Sequence, residues 1–318
     1  MFAAVGHALE GDHLDLSFRE TSAWTKVGPG EGMPPSLFVN LGDPVSGPDI
    51  HLAAVPAPPE DFWLPTHYHG TDQFRAIIRG RWNLQRKQLE AGDFGYQISG
   101  VPYREGPGSA PDELWMFAVH GEWRGARSTK TRNDGIEVPE IGEDQLDRYV
   151  DSPDYWDNVP GGSKGIVGLA STLGGAAGGF SWGSFDDGAG WQELSPGVSV
   201  TAGLLSDRAA GPIILTLRSE AGRTVVPSAG YDTEIVLAIV RGSCRVGDRT
   251  YIDGEVRIQK AGTVMDTIIA GADGLDAVLM IADRRCHPQI AASDTAAYWP
   301  AKLGELTEEL TSSMAEIS

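Results

Sequence analysis

Residues 65–82 read PTHYHGTDQFRAIIRGRW, and residues 227–244 read PSAGYDTEIVLAIVRGSC. Laid over one another without a gap, they pair Pro65 with Pro227, Arg79 with Arg241 and Gly80 with Gly242. Continued downstream at the same 162-residue offset, Gly92 meets Gly254, Gln97 meets Gln259 and Gly100 meets Gly262. Upstream, Trp24, Pro29 and Gly30 answer Trp191, Pro196 and Gly197, and Gly47-Pro48 answers Gly211-Pro212 after a few residues of slippage. The chain therefore carries one unit twice, each copy about 100 residues or a little more, a size able to fold as a domain. His67-Tyr-His69 occurs in the first copy alone, where the second has Ala229 and Tyr231.

Within each copy the apolar residues come as short runs cut by Gly, Pro or Asp. The first has Ile50–Val55, Phe74–Ile78, Trp82–Leu84, Phe94–Ile98 and Leu114–Val119. The second has Ile213–Leu217, Ile235–Val240, Cys244–Val246, Val256–Ile258 and Ala277–Ile281, in the same order. Short, β-branched segments between turn residues predict an all-β chain built from two tandem antiparallel barrels or jelly rolls. The predicted division is a first barrel over 1–133, an acidic linker over 134–165 with a short helix at Glu143–Val150, a second barrel over 166–290, and a tail over 291–318. Gly174–Gly190 reads as a flexible loop or hairpin. In the tail, Leu303, Leu306, Leu310 and Met314 share a helical face, which predicts a short amphipathic C-terminal helix packed on a barrel or a partner.

Forty-four acidic residues against 25 basic ones give a net charge of −19. That field repels phosphate backbones and anionic lipid, so neither nucleic acid nor a membrane surface is the expected partner; the charge favours a cationic or neutral one, and a small-molecule substrate is expected. No stretch has the length and apolarity of a bilayer-crossing segment, and His7, Glu10 and Asp12 interrupt the N-terminus before a secretory core forms, so the expected location is the cytoplasm. Cys244 and Cys286 read as reduced thiols. A homodimer using the C-terminal helix and a monomer in which the two barrels satisfy each other are both open.

The ordered set Pro65-Thr-His67-Tyr-His69-Gly-Thr-Asp-Gln73, Arg79-Gly80, Gly92-Asp93 and Gly100-Val-Pro102-Tyr103 resembles the two motifs of the cupin superfamily. The upstream Trp-x-x-Val/Leu-x-Pro-Gly of both copies resembles the cupin group of the ChrR-type metal domains and the acetylacetone-cleaving dioxygenases. About two thirds of the chain carries the resemblance. It implies a bicupin: two double-stranded β-helix barrels in tandem, with a divalent transition metal in the first. Fe(II) is favoured, and Zn, Mn or Ni would also suit a set of two histidines and oxygens.

Alternate residues of a strand share a face, which places His67 and His69 together inside the barrel. The family pattern puts a Glu four residues beyond and a His at the end of the second motif, where this chain has Gln73 and Tyr103. The implied ligand set is thus His67, His69, Gln73 and Tyr103, with Glu105 or Asp72 as other oxygen donors. Gln73 has lost a charge and Tyr103 binds metal well only as phenolate, so a metal-free pocket in which these side chains hold an organic ligand stands beside the metal site. Tyr103, Glu105 and His51 are the candidate acid–base residues, His51 as a base near neutral pH. Arg75 would reach an anionic substrate if it faces inward, whereas His120 and His287, at strand ends, read as exposed. The second copy offers Ala229, Tyr231, Ile235 and Met265 at the matching places and reads as structural. The function implied is a metal-dependent cupin enzyme on a small organic substrate, by dioxygenase-type cleavage or an isomerase or lyase step; a non-catalytic ligand-binding or sensor bicupin is the alternative.

Overall fold

A computed structural model describes residues 11–26, 35–42, 47–56, 64–67, 69, 71–84, 87–99, 101, 103–106, 113–122, 170–173, 180–205, 211–290 and 298–316. The expected linker, with its helix at Glu143–Val150, lies outside the described residues. Apart from one short 3-10 turn and a C-terminal helix at Tyr298–Glu316, the described elements are strands, so the all-β expectation holds.

Two large antiparallel sheets carry the fold. The first runs, in spatial order, Phe180–Ser184, Asp93–Gln97, Gln73–Arg79, Leu114–His120, Asp49–Val55, Pro35–Asn40 and Thr25–Lys26. The second runs His13–Ser17, Glu255–Gln259, Ile235–Val246, Ile268–Ile281, Ile213–Ser219, Val198–Leu204 and Ala170–Ser171, with three further strands on its flanks. The duplication is visible in the register itself. Gln73 lies opposite Gln97 as Ile235 does opposite Gln259, and Tyr103 lies opposite His67 as Met265 does opposite Ala229. The Gly92 amide donates to the Ile77 carbonyl and the Gly254 amide to the Ile239 carbonyl, again 162 residues apart.

Each large sheet takes one strand from outside the repeat that forms the rest of it. His13–Ser17, which precedes the first copy, pairs with Glu255–Gln259 of the second, where Asp15 accepts hydrogen bonds from Tyr251 and Arg249. Phe180–Ser184, inside the stretch expected to be a loop or hairpin opening the second repeat, pairs with Asp93–Gln97 of the first. The correction has a local cause: Phe180 and Trp182 alternate with small residues, and Trp182 packs so closely over Gly95 that a Cβ there would sit 2.2 Å from its ring. The strand exchange cuts across the 1–133 and 166–290 division.

The two sheets bury one face against each other. Phe74, Ala76, Ile78, Phe94 and Tyr96 meet Val236, Ala238, Val240, Val256 and Ile258 in a shared core, each large aliphatic or aromatic side chain contributing roughly 1.5–3 kcal/mol by leaving water. The second half has its own apolar core, closed by Trp299, Leu303, Leu306 and Leu310 of the helix. That is the amphipathic face the leucine spacing predicted, now seated on the second half.

Gly80 and Gly242 turn the chain at φ 76° in both copies, and a Cβ at either would lie 2.4 Å from a backbone carbonyl oxygen, of Glu113 or Gly274. Both the left-handed conformation and the contact act against a side chain. Gly80→Ala and Gly242→Ala are each expected to cost about 2–3 kcal/mol in urea unfolding; an unchanged midpoint in either would contradict the duplicated turn.

Candidate functional site

Strand register arranges the inner face of the first half in rows. Asp49, His120, Gln73 and Gln97 lie opposite one another, and two residues along come His51, Ala118, Arg75 and Gly95. A third row begins with Ala53, Met116 and Ile77, which belong to the small apolar core of this half. Residues two apart share a face, and the intervening Phe74, Ala76, Phe117 and Val119 lie in the core between the sheets, so the rows point inward. This settles the direction of Arg75. The inner face grades from polar to apolar over three rows.

The second copy is an internal control. Its corresponding rows are Ile213, Ile281, Ile235 and Gln259, then Leu215, Leu279, Leu237 and Arg257. Where the first copy has Asp49, His120, Gln73, His51 and Arg75, the second has five aliphatic residues. Arg257, at the place of Gly95, is buried and donates to Gln259 and Tyr251. The same fold is thus built once around a polar interior and once around a mostly aliphatic one in which Arg257 and Gln259 pair with each other.

Facing the rows is the small sheet of Leu64–His67, Tyr103–Gly106, Arg81–Leu84 and Lys87–Glu90, in which Tyr103 pairs with His67. It brings His67, Tyr103 and Glu105 to Arg75. The guanidinium donates from Nη2 to Gln73 Oε1 and to Tyr103 Oη, both at 2.6 Å, and from Nη1 to Gln97 Oε1 at 2.7 Å. Its Cζ stands 5.0 Å from the Tyr103 ring centroid. Glu105 accepts from Trp82 Nε1 at 2.9 Å, with its oxygens 3.6 Å from His67 Nε2 and 3.9 Å from Arg75 Nη2. Arg75, Gln73, Tyr103, Glu105 and His67 are all buried, while His69 is half-buried. Burial, reinforced by the charge of Glu105, holds the Tyr103 phenol above its ordinary pKa against the opposing pull of Arg75 and Gln73.

A chain of rings leads from this cluster to the polar row. His67 and His69 are 5.3 Å apart between centroids, His69 and His120 5.5 Å, and His120 and His51 6.2 Å. His120 is not exposed as its place at a strand end suggested. It is 5 % accessible, with Nδ1 2.6 Å from Oδ1 of the fully buried Asp49. His51 faces the interior, half-buried and stacked on Phe38, but its pKa is lowered to about 3, by burial of the ring first and then by the charges of His120 and Arg75. It is a neutral imidazole at neutral pH, so the expected base there becomes a hydrogen-bonding group. Asp72 is tied to the loop after Gln97, accepting from the Ser99 amide at 2.8 Å. His287 is exposed.

The donor chemistry bears on the expected metal. Two of the four implied ligand atoms, Gln73 Oε1 and Tyr103 Oη, accept hydrogen bonds from one guanidinium nitrogen, and the phenol is held in its protonated form. A divalent cation among these groups would lie beside a fixed positive charge. Among the described residues no three His, Cys, Asp or Glu side chains converge as a metal-binding group. The set His67, His69, Gln73 and Tyr103 does not fit a divalent metal with Arg75 in place.

No family model matches the chain, and no curated protein matches its sequence. Among solved structures it is similar to the protein Ylba from E. coli, at 11 % identity and TM-score 0.48 over 89 % of this chain and 94 % of that one. A variant of salicylate 1,2-dioxygenase from Pseudoaminobacter salicylatoxidans in complex with gentisate aligns at 11 % identity and TM-score 0.49, over 85 % and 82 % of the two chains. A Momordica charantia 7S globulin aligns at 10 % and 0.46, over 87 % and 86 %. The present chain, two register-matched antiparallel β units in tandem, has the all-β duplicated fold that its sequence led one to expect. No helix among the described residues is long and apolar enough to cross a membrane.

Proposed function

We propose that the first half binds a small organic anion, a carboxylate, at Arg75, and is the half that does chemistry, while the second half is its folding partner. The observation that carries this reading is the contrast between Arg75, buried among Gln73, Gln97, Tyr103 and Glu105, and Leu237 at the equivalent place in the second copy. A buried guanidinium is retained at a cost, and its planar fork, whose Nη2 protons are now held by Gln73 and Tyr103, suits a carboxylate that displaces one of them. Tyr103, neutral and already oriented, supplies a hydroxyl to the same ligand.

The experiment is a thermal-unfolding screen of the protein with oxalate, pyruvate, malate, 2-oxoglutarate and benzoate, repeated on Arg75→Lys. Stabilisation by at least one carboxylate, lost in Arg75→Lys, is the expected result, because lysine keeps the charge without the fork. No shift with any of them counts against the reading.

A metal-dependent oxygenase is the second reading, supported by the adjacent His67 and His69 rings of the cupin-like motif. Protein equilibrated with Fe(II), Mn, Ni or Zn and then desalted is expected to retain well under one equivalent by elemental analysis. A full equivalent that disappears in His67→Ala and His69→Ala would favour the oxygenase.

A further inference from the structure

Asp49 and His120 take no part in the cluster around Arg75, yet they sit on the same inner face. They form a buried carboxylate–imidazole pair at 2.6 Å, with His69 5.5 Å from His120 toward Tyr103. Next to the pair, Asp49 Oδ2, His51 Nε2 and Gln73 Nε2 are buried with no hydrogen-bond partner among the described residues. An unpartnered buried polar atom costs about 1–3 kcal/mol, and here three fall in two neighbouring rows of one sheet. Bracing the strand ends does not account for them. The second copy holds the same strand ends together with Ile213 and Ile281, without an ion pair. The polar groups are therefore an addition to the fold, facing the interior where a ligand's own polar groups can satisfy them.

The geometry points to His120 as the proton-transfer residue of the first half, positioned by Asp49 and acting on an oxo acid whose carboxylate lies at Arg75. The inference rests on the anion-site reading above. Asp49 holds the Nδ1 proton and leaves Nε2 to accept one from the substrate, while His51, as its Nε2–H tautomer, and Gln73, through its amide nitrogen, donate to the substrate's remaining oxygens. His120 lies one strand across from Arg75 and two residues further along, about 7 Å in the strand direction. That separation suits a short 2-oxo acid. The step is an enolisation: the C–H bond beside the carbonyl breaks, an N–H bond forms at His120 Nε2, and the electron pair stays on the substrate as an enolate. The positive charge of Arg75 stabilises that enolate.

Pyruvate and 2-oxoglutarate serve as probes in deuterium oxide, with loss of their C3 proton signals followed by NMR. The unaltered protein is expected to exchange at least one probe 100-fold faster than buffer. His120→Gln should return the rate to that of buffer, and Asp49→Asn should slow it at least tenfold and remove the far-downfield Nδ1 proton resonance. Binding of the probe, read by calorimetry, should stay within threefold in both. The double variant Asp49→Ile/His120→Ile copies the second half's own pairing and keeps the test open if the single variants fold poorly; it too should lose exchange. Binding without exchange, or exchange that survives in the His120 variants, overturns the role of His120 and leaves the anion site standing. Failure of both probes to bind overturns the proposal, and the anion-site reading falls with it only if oxalate, malate and benzoate fail to bind as well.

Discussion

Arg75→Met is expected to weaken carboxylate binding more than 100-fold and to lower stability by about 3–5 kcal/mol, the usual consequence of removing one partner from a buried ionic cluster. Both effects come from the same contacts. Gln73 Oε1, Gln97 Oε1 and Tyr103 Oη lose their donor together, and Glu105 is left with Trp82 and His67 beside it among the described residues. Methionine fills the volume but satisfies none of them. Calorimetric titration with the best carboxylate of the screen reads the first effect and urea unfolding the second. A variant that is less stable but binds normally would reduce Arg75 to a structural ion and remove the anion site.

Trp299→Ala should produce the opposite pattern. Trp299 is 1 % accessible in the core of the second half, and its Nε1 donates to Tyr231 Oη at 2.9 Å. Tyr231 stands at the position of His69 in the first copy, so the helix closes over the place where that copy keeps its histidines. Truncation removes a large buried ring and strands the Tyr231 hydroxyl, an expected loss of about 3–5 kcal/mol. Carboxylate affinity measured well below the unfolding transition should not change. An affinity change as large as that of Arg75→Met would place a site in the second half or couple the halves in a way the rows do not suggest.

The duplication was legible because its punctuation is steric. Gly80 and Gly242 occupy turns that only glycine tolerates, and Gly92 and Gly254 repeat the same hydrogen bond, so identities survived where the chemistry diverged. The exchanged strands were not legible. His13–Ser17 and Phe180–Ser184 alternate like any edge strand, and nothing in a five-residue alternation names the sheet it will join. Within the site, His67, Tyr103 and Glu105 could be brought together from motif spacing, while the direction of Arg75 could not, since period-two counting leaves the face undetermined until one neighbour is fixed. Phe74 fixes it by entering the core between the sheets. His120 was misjudged from its place at a strand end. Its signal was the seven-residue strand Leu114–His120, buried along its whole length, with Asp49 opposite its last residue, and pairing of that kind becomes visible only with the register.

The central claim is that a guanidinium in the first half receives an organic anion. It is tested most directly by arginine side-chain NMR on protein labelled with nitrogen-15 arginine and titrated with the best carboxylate of the screen. The account predicts that one Nε–Hε resonance shifts in a saturable way and that this resonance is missing from the spectrum of Arg75→Met. Side-chain resonances that ignore the carboxylate, or a responding resonance that persists in Arg75→Met, would contradict it.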